Sequence, residues 1–241
     1  MLKKVLYDYA DSFRWGNIKK KNNFTNSWIF IYMLTFFPII MRMNDTIENL
    51  VCYYLGILPC LLGFFSITLI PICMPKQMFL CPMTEEERKK YIKMLFGVRI
   101  GVPFLAGIIG AAIILLLEYI QSGFVVLYLV GLFSYLFCGS ITTWPGSVWK
   151  GMNDKGKYVK NPKFKGLRVI SSLGMLFGIF YQLIMIMLPD SSYSGASWFY
   201  IPIFSLPPII FDLLMIRYIK PMVEVGISFE NTYEVLMQTE K

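Results

Sequence analysis

Long charge-free runs dominate the pattern of this chain. Between consecutive charged residues the sequence leaves six of them, at 22–41, 49–75, 100–117, 119–149, 169–189 and 191–211. About 20 apolar residues are needed to cross the hydrocarbon layer as a helix. The runs therefore predict apolar cores near 27–43, 50–73, 98–119, 123–143, 168–188 and 197–217. Each must be helical, because lipid offers no partner to exposed N–H and C=O groups. Ala111-Ala112-Ile113-Ile114-Leu115-Leu116-Leu117 shows none of the alternation that a membrane β-barrel strand requires. The predicted fold is an all-α integral membrane protein with six transmembrane helices, a single transmembrane domain over 1–241. Residues 1–25 form its N-terminal segment and 218–241 its tail. The connections at 44–49, 119–122 and 189–196 are too short to hold a further domain.

Composition supports this picture. Apolar residues make up 56% of the 241, mean hydropathy is +0.56, and 16% are charged, against about 25% in a soluble domain. The charges that remain are distributed with strong asymmetry. Of the 23 lysines and arginines, all but Arg42 fall in four segments: the first 25 residues, the connection at 74–99, the connection at 144–168, and the region from Arg217 onward. The positive-inside rule then places both termini in the cytoplasm of a multi-pass cell-membrane protein, read as bacterial. The net charge of +8 is a topology signal, so no nucleic-acid partner is expected.

The N-terminus adds an amphipathic element. Leu2, Val5, Leu6, Tyr9 and Phe13 share one helical face, while Lys3, Lys4, Asp8, Asp11 and Ser12 lie elsewhere on the wheel. Such a helix is expected to lie in the cytoplasmic interface ahead of the first span. No apolar run suited to a cleavable signal peptide precedes residue 27.

Candidate chemistry is sparse. Histidine is absent, which removes His-based metal sites and Ser-His or Cys-His nucleophilic pairs. The cysteines at 52, 60, 73, 81 and 138 form no C-x-x-C pair and read as small apolar residues, with no metal site. Arg99 and Glu118, at opposite ends of the third span, are expected to reach headgroups. Asp212 lies within the sixth span after Pro202, Pro207 and Pro208. It is expected to form a structural pair or reach the interface, the alternative being a place on a transport path. Gly107 and Ala111 give one small-x-x-x-small match on the third span. The connection at 144–168 carries Lys150, Lys155, Lys157, Lys160, Lys163 and Lys165 among Trp144, Trp149 and Tyr158. That mixture suits the anionic lipids of an inner leaflet.

The most informative stretch is 82–95, Pro-Met-Thr-Glu-Glu-Glu-Arg-Lys-Lys-Tyr-Ile-Lys-Met-Leu. Thr84 and Glu87 have the spacing of a reciprocal capping box. Glu85, Glu86 and Glu87 sit at the positive end of the helix dipole, with Arg88, Lys89, Lys90 and Lys93 following toward the negative end. Glu85–Lys89 and Glu86–Lys90 add pairs at i, i+4. These features predict a short helix from residue 85, between spans two and three.

Leu80-Cys81-Pro82-Met83-Thr84 resembles the opening of the corresponding loop in the membrane subunit of ABC-2 type exporters. Glu87 matches a family Glu, and Lys93 lies one place beyond the family Lys. Glu85 stands where Arg is usual, and Tyr91 replaces a Gly. The resemblance implies a membrane permease whose loop helix, here Met83, Thr84, Glu85, Glu86, Glu87, Arg88 and Tyr91, docks in a separate ATPase. The chain has no G-x-x-x-x-G-K-[ST] phosphate loop. ATP and Mg would therefore belong to partner ATPase subunits, with no cofactor on this chain. The resemblance further implies a second membrane subunit, identical or homologous, and export of a peptide, drug or lipid-like substrate. A six-span substrate-binding subunit of another transporter is the alternative. An intramembrane enzyme is disfavoured by the missing histidines and by the lack of a second intramembrane Asp beside Asp212.

Overall fold

The computed structural model describes residues 1–12, 47–69, 72, 83–116, 122–143, 150–152, 158–160, 165–187 and 197–227. The described residues form six helices: α1 (Leu2–Ser12), α2 (Ile47–Leu69), α3 (Glu85–Leu116), α4 (Ser122–Thr142), α5 (Lys165–Met187) and α6 (Ser197–Gly226). Three segments are long and apolar enough to cross a membrane: Glu85–Leu116, Val125–Thr142 and Pro202–Glu224. The predicted first span, 27–43, lies outside the described residues, as do Phe13, Glu118 and the tail beyond 227.

Between α4 and α5 the all-α expectation needs one correction. Lys150–Met152 (β1) and Tyr158–Lys160 (β2) pair antiparallel, with Lys150 opposite Lys160 and Met152 opposite Tyr158. Connections that leave the hydrocarbon regain water as a partner, so the constraint that forces helices inside lipid no longer applies.

Two helices also outrun their predicted spans. α3 joins the helix expected from residue 85 to the apolar core expected from about 98, and α6 runs on past 217 to Gly226. Charged residues end an apolar run without ending a helix. On α3, Tyr91, Ile92, Leu95, Phe96 and Ile100 are buried and continue into Pro103, Gly107, Gly110 and Ala111, a single inward stripe. On α6, Met215, Met222 and Val223 do the same across the expected boundary.

At the centre stands α4. The share of its apolar window buried is 72%, against 39% for α3 and 17% for α6. It packs on α2, α3, α5 and α6. Its tightest neighbour is α5, and the cause is glycine. At Gly178 a side chain would put its first carbon 2.5 Å from the Tyr135 amide nitrogen and 2.7 Å from the Gly131 carbonyl. Those are backbone atoms and cannot yield, so the two helices touch main chain to main chain. The α2–α3 crossing works similarly: Gly110 faces the carbonyl of Leu55, and Gly107 faces Leu132 and the ring of Pro59. Pro59 has no N–H to offer the carbonyl four residues earlier, that of Leu55.

Other polar groups join the helices. Gln182 of α5 donates to the Tyr128 carbonyl at 2.8 Å and accepts from the Cys60 thiol at 3.1 Å, while the Tyr128 hydroxyl donates to the Gly56 carbonyl at 2.9 Å. On α6, Pro208 leaves the Phe204 carbonyl without its helical donor, and the Tyr181 hydroxyl of α5 donates to it at 2.5 Å.

Candidate functional site

The head of α3 forms as its sequence specifies. The Thr84 amide donates to Glu87 Oε2 at 2.9 Å, the Thr84 hydroxyl donates to the same oxygen at 3.1 Å, and the Glu87 amide donates back to Thr84 Oγ1 at 3.3 Å. Donors that the first helical turn leaves without intrahelical partners are thereby satisfied. Glu85 pairs with Lys89 at 2.5 Å. Among the described residues Glu86 and Lys90 do not close the second expected pair.

The same contacts tune the charges. The Glu87 carboxyl is held below its ordinary value, first by the Thr84 amide and then by the Thr84 hydroxyl. Glu85 is likewise lowered by its hydrogen bond to Lys89. Lys89 is raised by that bond, with the charge of Glu224 at the end of α6 contributing. All these groups are ionised at neutral pH, so the exposed turn carries three acidic side chains, Glu85, Glu86 and Glu87, beside the exposed Thr84.

Not every residue expected on this docking face is available. Tyr91 is 1% exposed, and its hydroxyl donates to Asp8 Oδ2 of α1 at 2.7 Å. It fastens α1 to α3 instead of facing a partner, because the inward stripe of α3 already includes position 91. Met83 packs against the core, and Arg88 is half-buried. The outward face is Thr84, Glu85, Glu86, Glu87, Lys90 and Lys93.

α1 is amphipathic, though it divides its apolar residues. Val5 and Tyr9 turn into the bundle, whereas Leu2 and Leu6 are exposed. Tyr9 shares a 2.7 Å hydrogen bond with Ser66 of α2, and burial pushes its phenol up against the opposing effects of that bond and of the Arg99 charge.

No protein-family model, curated protein or solved structure matches this chain.

Asp212 and Arg99, two charged residues within the long apolar helices, point inward. Asp212 is 7% exposed and accepts hydrogen bonds from Ser134 at 3.1 Å and from the Cys138 thiol at 3.4 Å, both on α4. Both of these partners are neutral groups. Arg99 does not extend to the surface as expected. It is fully buried, and its Nη2 donates to the Ile67 carbonyl and to the Thr143 hydroxyl. The long side chain is directed across the bundle toward the ends of α2 and α4, where those two acceptors lie.

Cys60 and Cys138 are buried and free, and no His/Cys/Asp/Glu cluster suited to a metal occurs among the described residues. In the basic connection, Lys155, Lys157 and Lys163 lie outside the described residues. Lys150 and Lys160 sit in the hairpin, and Lys165 opens α5. The sequence reading passed over Gly174 and Gly178 on α5, although their four-residue spacing is the small-residue signal for close helix approach. Gln182 and Ser134 gave no such signal, since one uncharged polar residue in a span says nothing about its partner.

Proposed function

We propose that this chain is the membrane-spanning subunit of an ATP-driven exporter of the ABC-2 type. It has six spans and cytoplasmic termini, it works with separate ATPase subunits, and it exports an amphiphilic substrate. The observation that carries the reading is the capped, exposed acidic turn at Thr84–Glu87, which continues without a break into a helix of membrane length. A coupling element must be rigid, because a flexible loop absorbs a partner's motion. Here the turn and the span are one rod. Tyr91–Asp8 ties that rod to α1, and the proximity of Lys89 to Glu224 brings the end of α6 alongside. In this reading, closure of an ATPase cleft around Glu85, Glu86 and Glu87 moves α1, α3 and α6 together. The translocation path forms against a second membrane subunit, identical or homologous, and the basic connection rests on anionic lipid.

The test is charge reversal on the head of α3. Glu86→Lys with Glu87→Lys leaves membrane insertion normal, because the spans are untouched, and sharply reduces both capture of the ATPase and ATP hydrolysis in proteoliposomes. Reversal at Lys155 and Lys157 does much less. Wild-type capture and hydrolysis in the double glutamate variant would remove the main support for an exporter. Reporter fusions check the topology independently: 45, 121 and 193 read outside, and 88, 156 and 241 inside. Native mass spectrometry of the detergent complex is expected to give two membrane subunits with two ATPase subunits.

A further inference from the structure

Arg99 is fully buried, yet only one of its three nitrogens is satisfied. Nη2 donates to the Ile67 carbonyl and the Thr143 hydroxyl, while Nε and Nη1 have no hydrogen-bond partner among the described residues. Nor is the charge itself answered. No carboxylate among the described residues pairs with it. A buried guanidinium without a counter-charge costs far more than two hydrogen bonds to neutral oxygens return. On α4, Ser140 Oγ is also buried and has no hydrogen-bond partner among the described residues. Ser140 lies one turn before Thr143, on the same side of α4. Arg99 reaches Thr143, whose hydroxyl also lies 3.5 Å from the Ser140 carbonyl, and it reaches the Ile67 carbonyl, next in the chain to Ser66, on which Tyr9 is anchored.

What is missing is an anion with several acceptor oxygens. Arginine is the side chain best suited to phosphate, being planar, permanently charged and weakly hydrated. Position favours the same class. Arg99 is the last charged residue before the charge-free run 100–117, which is where headgroup phosphates meet hydrocarbon if α3 spans the bilayer. The covering helix α1 exposes Leu2 and Leu6 and carries Lys3 and Lys4, also exposed, a combination that suits an anionic lipid surface. We propose that Arg99 and Ser140, with Thr143 and the Tyr9–Ser66 pair close by, form a binding site for one phosphate group, that of an anionic lipid or of free phosphate. The site ties α1, α2, α3 and α4 together only when it is filled.

The experiment uses the purified, delipidated full chain. Phosphatidylglycerol, diacylglycerol with the same acyl chains, and inorganic phosphate at constant ionic strength are each titrated, with native mass spectrometry and thermal unfolding as readouts. One saturable phosphatidylglycerol per chain, with a rise in melting temperature that diacylglycerol does not give, assigns the site to a lipid headgroup. Saturable stabilisation by inorganic phosphate alone assigns it to the free anion. Saturation by neither overturns the proposal. Arg99→Gln is expected to weaken binding by about tenfold or more, while Arg217→Gln, at an exposed position of α6, leaves it unchanged. Equal weakening in both variants would mean diffuse charge attraction and would also overturn it. If Arg99→Gln does not fold, Ser140→Ala decides: weaker binding in a folded protein supports the site, and unchanged affinity refutes it.

Discussion

Two carboxylates, Glu87 and Asp212, show two ways in which this chain handles charge. Glu87 is exposed at the head of α3, and its partner Thr84 is three residues away. Asp212 is buried on α6, and its partners Ser134 and Cys138 are on α4, the nearer of them 74 residues away in sequence. The first arrangement is local chemistry, in which a helix start calls for a cap and the cap is written beside it. The second exists because α6 lies against α4. The energetic stakes differ as well. Losing an exposed cap costs about 1 kcal/mol. Leaving buried partners unsatisfied costs about 1–3 kcal/mol per group.

The contrast is broken most severely where the interior has no room. Gly178→Leu should separate α4 from α5 and cost about 3 kcal/mol or more, seen as loss of folded yield and a collapsed melting temperature. Gly97→Ala should have almost no effect, since nothing lies within 4 Å of that position. If the two variants behave alike, the α4–α5 contact is not a rigid backbone contact.

Asp212→Ala comes next, at about 1–3 kcal/mol from stranding Ser134 and Cys138. Asp212→Asn still offers an acceptor and should retain substantial stability and, under the proposed function, transport. Loss of substrate-stimulated ATP hydrolysis in the Asn variant, with assembly intact, would instead place Asp212 on the path. Thr84→Ala follows at about 1 kcal/mol, read as faster amide exchange in the first turn of α3. If it equals Asp212→Ala in cost, local and tertiary polar contacts do not differ here in the way described.

The smallest effect is a pH response at the head of α3. The folded-state value of Glu87 is depressed, so its contribution is complete above the ordinary carboxylate range. That contribution is lost as pH falls through the lowered value. Amide protection in the first turn, relative to the intrinsic exchange rate at each pH, should therefore fall on acidification below about pH 4.5. Glu87→Gln removes the step. Lys89 behaves oppositely: raised by Glu85, it contributes below the ordinary lysine value and loses that contribution as pH rises through the raised one.

Legibility followed the same division. The expected cores 123–143 and 168–188 correspond to the helices Ser122–Thr142 and Lys165–Met187, because a long charge-free run is a property of the segment itself. The Thr84–Glu87 box and the Glu85–Lys89 pair were equally readable, being fixed by spacing along one helix. The boundaries at 98 and 217 mark where hydrocarbon is expected to end, whereas hydrogen bonding and packing carry the helices α3 and α6 further.

What only the tertiary structure decided is which way each side chain faces. Arg99 and Tyr91 point inward, Val5 and Leu6 part company on α1, and Asp212 finds a hydroxyl and a thiol. The physical reason lies in the solvent. In water, a helix advertises its buried face by polarity. In lipid, the outward face is as apolar as the inward one, so no periodicity separates them. Partners are then chosen by close packing at residues such as Gly178 and by isolated polar groups that must be satisfied. The sequence of a single helix states neither.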